Sequence, residues 1–242
     1  MGTITAVTFD FWNTLCYEPP GHLRGRRLDA WGGILEEAGF AIEREELDAV
    51  FEESWRRYVA SWEAGEQFLA VAAAEEVVES LGFDIPKGVR AALVDAFETA
   101  GDDADIRPTD GVGDALRALK DAGVRVGIIC DVGMTPSTAL RRHLDRHGLL
   151  PLFDHWSFSD EVGHYKPARE IFEHALDGLG GVAPSSAAHV GDLRRTDIAG
   201  ARAMGMTAVR YTGVFDDDSQ PEPEGHHVVD HHRRLVDVLP IG

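Results

Sequence analysis

The feature that most constrains this chain is a set of short apolar runs, each closing on a polar or acidic side chain. The first, residues 4–9, is rich in β-branched residues and ends at Asp10. It reads as a buried strand presenting one carboxylate at its carboxyl end. Residues 124–129 end at Cys130 and Asp131, residues 155–158 lead into a loop carrying Lys166, and residues 187–190 end at Gly191 and Asp192. Strands are also expected at 207–210 and 228–229, with helices over 112–121, 137–146, 167–179 and 233–239. Such alternation specifies an α/β fold built on a parallel, doubly wound sheet.

Between residues 17 and 103 the rhythm changes. Leu28, Trp31 and Leu35 recur at helical spacing, as do Leu47, Val50, Phe51, Trp55, Tyr58, Val59 and Trp62. Two further helices are expected over 68–81 and 89–97, and no strand falls among them. The sequence therefore predicts a core of residues 1–16 and 104–242 and a helical insert of residues 17–103, with the polar run 101–105 as the return linker. A chain of 242 residues with 44% apolar content is large enough for both.

Charge narrows the function. With 23 basic against 42 acidic residues the net charge is −19, which opposes binding to nucleic acid or an anionic membrane. No apolar run is long enough to span a bilayer and no secretory signal opens the chain, so a cytoplasmic protein is expected. Cys16 and Cys130 are too few for a disulfide framework. The lysines are Lys87, Lys120 and Lys166 alone, so a lysine in a loop at a strand end carries weight.

In an open parallel sheet, ligands bind outside the carboxyl ends of the strands, where loops and helix N-termini converge. Asp10, Cys130, Asp131, Lys166 and Asp192 all fall there. Carboxylates crowded into one crevice require a cation, and hard oxygen ligands suit Mg²⁺. Lys166 would offset the remaining charge and could hold an anionic substrate group.

Asp10-Phe11-Trp12-Asn13-Thr14-Leu15, Ile128-Ile129-Cys130-Asp131, Lys166-Pro167 and Gly191-Asp192-Leu193-Arg194-Arg195-Thr196-Asp197 resemble, in order, the four motifs of the haloacid dehalogenase superfamily. The insert resembles that superfamily's helical cap domain, and the likeness covers nearly the whole chain. It implies a Rossmann-like core and a phosphatase acting on a small phosphorylated metabolite. Asp10 would be the nucleophile that becomes an aspartyl phosphate, and Lys166 would steady it and the transferred group. Thr14, Cys130, Asp131 and Trp12 would line the substrate. Mg²⁺ would be held by Asp10, the Trp12 carbonyl, Asp192 and Asp197.

Two positions depart from that pattern. Trp12 stands where phosphatases of the superfamily carry a second Asp that protonates the leaving oxygen, and Cys130 stands where they carry Ser or Thr. Indole accepts nothing and its N–H is a poor acid. Three outcomes remain open: substrates whose leaving group needs no proton, such as acyl or aryl phosphates; another acid, with His164 nearest in sequence; or a binding protein without turnover. Members that cleave carbon–halogen bonds also lack the second Asp, but without a metal they have no reason to keep a carboxylate at Asp192. Cys130 is expected to be an inert thiol.

Other candidates have plainer readings. Asp197 could simply complement a helix dipole in its first turn. Trp31, Trp55, Tyr58 and Trp62 read as core of the insert rather than a pocket lining. Arg24, Arg26 and Arg27 read as a solvated helix face, and at least one of Arg194 and Arg195 is expected to face the crevice. His226, His227, His231 and His232 read as surface residues rather than a metal site.

Overall fold

The computed structural model describes residues 2–221 and 223–242; Glu222, in the acidic loop 215–225, lies outside them. The chain opens with β1 (Ala6–Phe9) and the two-residue β2 (Cys16–Tyr17), then runs through α1 (His22–Glu37), α2 (Arg44–Ala64), α3 (Ala70–Ser80) and α4 (Lys87–Thr99). It continues through β3 (Arg107–Pro108), α5 (Val112–Asp121), β4 (Arg125–Cys130), α6 (Ser137–Arg146), β5 (His155–Phe158), the single turn α7 (Ser159–Val162) and α8 (Arg169–Gly178). Then come β6 (Ala187–Gly191), a π turn (Arg194–Ile198), α9 (Ala199–Met204), β7 (Thr207–Tyr211), β8 (His227–Val229) and α10 (Leu235–Val238).

Two compact units result. The first comprises residues 2–17, Arg107–Asp131 and Leu144–Gly242; the second comprises Glu18–Ile106 and Val132–His143. In the first unit six strands form one parallel sheet in the order β5-β4-β1-β6-β7-β8. All four residues of β1 are buried, as a central strand covered on both faces must be. The chain builds outward from β1 to β4 and β5, then returns to add β6, β7 and β8 on the other side. The sheet therefore switches direction between β1 and β6, and the loops after those strands carry Asp10 and Asp192.

Packing follows the sequence pattern. On α5, Val112, Ala115, Leu116 and Leu119 are buried at helical spacing, with Asp114 in the first turn and Lys120 in the last, each suited to the helix dipole. One core cluster joins Ala6, Ile129 and Ala187 from the sheet to Ile171, Phe172 and Ala201 from α8 and α9. A short antiparallel ribbon, Cys16 opposite Pro108 and Tyr17 opposite Arg107, lies where the chain leaves and re-enters this unit.

The second unit is helical. Trp31 is fully buried and meets Phe51 edge-on at 5.1 Å between ring centroids, while Phe51 stacks on Phe97 at 5.7 Å. Tyr58 is buried and Trp55 is exposed. Arg27 corrects the expectation of a solvated helix face, since it is only 6% exposed. Its guanidinium lies 4.6 Å from the Phe97 ring centre and donates to the carbonyls of Phe97 and Met134 and to Thr135 Oγ1. These bonds give residues 132–143 their place in the helical unit, whereas strand–helix alternation alone assigns that stretch to the core. Arg24 pairs with Asp48 and Glu52.

His232 is also fully buried, because its ring stacks on Tyr211 at 4.3 Å and its Nε2 donates to the Thr14 carbonyl at 2.8 Å. Burial holds its imidazole down to about 4. His226 and His231 accept backbone N–H groups from Ala208 and Arg233. No helix among the described residues is long and apolar enough to cross a membrane.

Candidate active site

Asp10 follows β1 and is 6% exposed. The loop 159–168 returns Lys166 to it, and the ammonium is 2% exposed. Lys166 Nζ donates to Asp10 Oδ1 at 2.5 Å, to Asp197 Oδ1 at 2.6 Å and to the Ile129 carbonyl at 3.1 Å, so all three of its protons are placed. Such a group is a fixed charge and not a roaming cation. Asp131 helps to hold it, because one of its oxygens accepts the Lys166 backbone N–H at 2.8 Å.

Asp192, at the end of β6, is 2% exposed, and Asn13 Nδ2 donates to its Oδ2 at 3.2 Å. Asn13 sits in the left-handed region at φ 54°, a conformation Asn tolerates better than most residues. The turn after β1 thereby reaches the loop after β6. Asp197 lies in the π turn and is fully buried. Its Oδ1 also takes His189 Nε2 at 3.1 Å, and its Oδ2 accepts the Leu193 N–H at 3.0 Å. Asp197 thus does more than complement the start of its own turn: besides the Leu193 N–H it meets Lys166 and His189. Gly191 permits this, since a Cβ there would collide with the Asp197 side chain.

Electrostatics follow from burial and crowding. Burial, with Asp197 adding repulsion against the help of Lys166, pushes Asp10 up to about 7. Burial and the neighbouring Asp10 and Asp197 push Asp192 well above the carboxylate range. Burial would also raise Asp197, but Lys166 and His189 outweigh it and hold that carboxyl at about 2. Burial would lower Lys166, yet Asp10 and Asp197 keep it well above its ordinary value. Asp10, Asp192 and Asp197 each offer an oxygen within 4.8 Å of the others, against one ammonium. That excess of negative charge in a buried oxygen-rich site fits a hard divalent cation.

Cys130 is buried, its Sγ lies 3.5 Å from the Asp131 carbonyl, and burial with Asp10 raises its thiol well above its ordinary value. Thr14 is buried and its Oγ1 has no hydrogen-bond partner, while its carbonyl accepts Thr109 Oγ1 at 2.6 Å and His232 Nε2. Trp12 is half-buried with its ring against Phe11. His164 is exposed. The Arg194 guanidinium pairs with Glu224 at 2.8 Å and its backbone N–H donates to Asp217. Sequence reasoning missed Asn13, His189 and the bracing pair Thr109 and His232. The Asn-Thr turn signalled the first, and nothing local signalled the others.

A doubly wound sheet with acids after β1 and β6 and an ammonium between them defines a hydrolase site of one class. The chain belongs to the haloacid dehalogenase-like hydrolase family, whose model matches residues 4–205. A ribulose-1,5-bisphosphate 5-phosphatase of Halopiger xanaduensis is 30% identical over 97% of this chain and 99% of its own length. A glyceraldehyde 3-phosphate phosphatase of Methanopyrus kandleri is 33% identical over 64% of this chain, and the match spans 65% of that protein. Among solved structures, a 2-haloacid dehalogenase from Pseudomonas syringae pv. Tomato DC3000 is 22% identical, covers 98% of both chains and has a TM-score of 0.72; at that identity the likeness speaks for the fold alone.

Proposed function

We propose that this chain is a Mg²⁺-dependent phosphatase that acts on a small phosphorylated metabolite through an aspartyl phosphate at Asp10. The observation that carries this reading is the 2.5 Å contact between Lys166 Nζ and Asp10 Oδ1 inside a buried group of three carboxylates. A carboxylate whose charge is steadied by one ammonium has an oxygen left to attack, and the surplus acids have a use only beside a cation. Asp10, Asp192 and the Trp12 carbonyl would hold Mg²⁺, with Asp197 adding charge from beneath. When bound, Mg²⁺ supplies the positive charge that screens the nucleophile from the phosphate dianion.

In the first step an Asp10 oxygen bonds to phosphorus, the phosphorus–oxygen bond to the leaving group breaks, and the electron pair departs with that oxygen. Lys166 balances charge on Asp10 and on the transferred group, and the Thr14 hydroxyl, buried without a hydrogen-bond partner, would donate to a phosphoryl oxygen. In the second step water attacks the phosphorus of the acyl phosphate, which releases inorganic phosphate and restores the carboxylate. Trp12 supplies no proton to the departing oxygen, so leaving groups stable as anions are favoured. General-acid help elsewhere is worth roughly 10²–10⁴-fold, which sets the scale of that preference. Retention of Asp192, held by Asn13, supports a metal-dependent phosphatase over a metal-free dehalogenase.

A panel of phosphorylated metabolites, with acetyl phosphate and p-nitrophenyl phosphate included, assayed with and without Mg²⁺ tests the proposal. Mg²⁺-dependent release, faster from acyl and aryl than from alkyl esters, is expected. Equal, slow release by wild type and Asp10→Asn across the panel would overturn it.

A further inference from the structure

The phosphatase reading gives no task to His189, an imidazole on β6 that is fully buried beneath the site. Its two nitrogens have definite partners. Nε2 lies 3.1 Å from Asp197 Oδ1, and Nδ1 lies 2.9 Å from Thr8 Oγ1 on the neighbouring strand β1. Asp197 is a carboxylate and can only accept, so Nε2 carries the proton. With Nε2 protonated toward Asp197, the 2.9 Å approach of Thr8 Oγ1 to Nδ1 suits a neutral ring whose second nitrogen is bare. Nδ1 is then an acceptor and the Thr8 hydroxyl donates to it. The alternative acceptor for that hydroxyl, the Ala188 carbonyl, is farther away at 3.3 Å.

The result is one continuous buried chain of hydrogen bonds: Thr8, His189, Asp197, Lys166, Asp10. Asp197 fixes the imidazole tautomer and Thr8 holds the nitrogen left bare; in turn the imidazole N–H and the Leu193 N–H fix both oxygens of Asp197, and Asp197 holds Lys166 Nζ. Phe172 packs edge-on against the imidazole at 5.3 Å between ring centres, so the ring itself has little freedom to turn. We infer that His189, set by Thr8, is a positioning residue that locks Asp197 as the counter-ion of Lys166, and so aims the ammonium at Asp10. Asp197 is then committed to Lys166, and the metal-facing acids are Asp10 and Asp192. The inference rests on the phosphatase reading for its kinetic consequence, but its geometry does not.

Two measurements test it. In the first, His189→Gln keeps an N–H donor near the Nε2 position, His189→Leu removes it, and Thr8→Val removes only the hydroxyl behind the ring. With p-nitrophenyl phosphate, His189→Leu should lower kcat by roughly 10–100-fold, the usual scale for groups that orient a site residue from behind. KM and the Mg²⁺ concentration for half-activity should stay within about 2-fold, because the lost charge placement matters chiefly in the transition state. His189→Gln should recover most of kcat, and Thr8→Val should fall between. A kcat within about 2-fold of wild type in His189→Leu, or equal losses in the Gln and Leu variants, would overturn the assignment. Should the Leu variant fail to fold, an unaltered kcat in Thr8→Val overturns it instead.

The second is ¹⁵N NMR of the histidine rings in the wild-type protein. It should show His189 protonated at Nε2 and bare at Nδ1. The opposite tautomer would overturn the inference whether or not any phosphate ester is hydrolysed. Absence of turnover in wild type with the expected tautomer would sink the phosphatase reading and leave the positioning network standing.

Discussion

The two units bury charge in opposite ways. In the helical unit the one deeply buried ion is Arg27, which spends its donors on carbonyls and a hydroxyl and lies on an aromatic ring. Arg24, Arg44 and Arg90 of that unit meet their carboxylates at the partly exposed surface. In the sheet unit, Lys166, Asp10, Asp192 and Asp197 are all buried together, and the acids outnumber the ammonium. The first arrangement is ordinary stabilisation, in which a cation is kept because its hydrogen bonds are satisfied. The second is poorly designed for stability alone, since desolvating like charges raises Asp10 and Asp192. A fold retains such a cost where the charges act on something else.

Lys166→Met should break the contrast most severely. It removes the ammonium and leaves Asp10 and Asp197 facing each other, so kcat should fall by at least about 10³-fold. Stability should fall by about 3–5 kcal/mol, the usual cost of removing one partner of a buried ion pair, as read by urea denaturation. Phe97→Ala in the helical unit should cost a similar 3–5 kcal/mol through lost aromatic packing, with the signal coming from stability and not from the chemistry of Asp10. A Phe97→Ala protein of wild-type stability would show that the Trp31, Phe51 and Phe97 cluster is not the core of that unit.

The acids of the sheet unit make a pH prediction of definite sign. A carboxyl raised from 3.8 to about 7, as Asp10 is, binds more protons folded than unfolded in that window. Metal-free stability from this group therefore falls as pH rises from about 4 to 7 and levels off above. Mg²⁺ competes with those protons, so its thermal shift should be larger at pH 8 than at pH 5.5. A shift independent of pH would separate the cation from Asp10 and Asp192. At the small end, Arg44→Ala removes the exposed pair with Asp29 and should change stability by less than about 1 kcal/mol. A larger loss by thermal denaturation would erase the distinction between the surface pairs and the buried ones.

Much of this was legible locally. Apolar runs ending in Asp10, Asp131 and Asp192 marked both the sheet and the edge of it that carries the site, because strand burial and strand-end chemistry are written in adjacent residues. Lys166 was legible as a rare lysine in a strand-end loop. Asp197 was legible as an acid but not as the partner of Lys166, since a π turn and the room left by Gly191 decide where it points. His189 looked like any residue of a buried strand; its meaning comes from Thr8 on the adjacent strand and Asp197 eight residues on. The ribbon of β2 and β3 is too short to leave a period, and the placement of residues 132–143 depends on Arg27, more than a hundred residues earlier. What escaped the sequence was long-range pairing of polar atoms, which hydrophobic spacing does not encode.

The central claim is that the Asp10 carboxylate itself receives the phosphoryl group. Wild-type protein turning over p-nitrophenyl phosphate with Mg²⁺, quenched in acid and digested, should yield by mass spectrometry a phosphoryl adduct on the peptide carrying residue 10, and Asp10→Asn should yield neither adduct nor product. Steady product release with no adduct at any quench time, together with undiminished turnover by Asp10→Asn, would contradict the account.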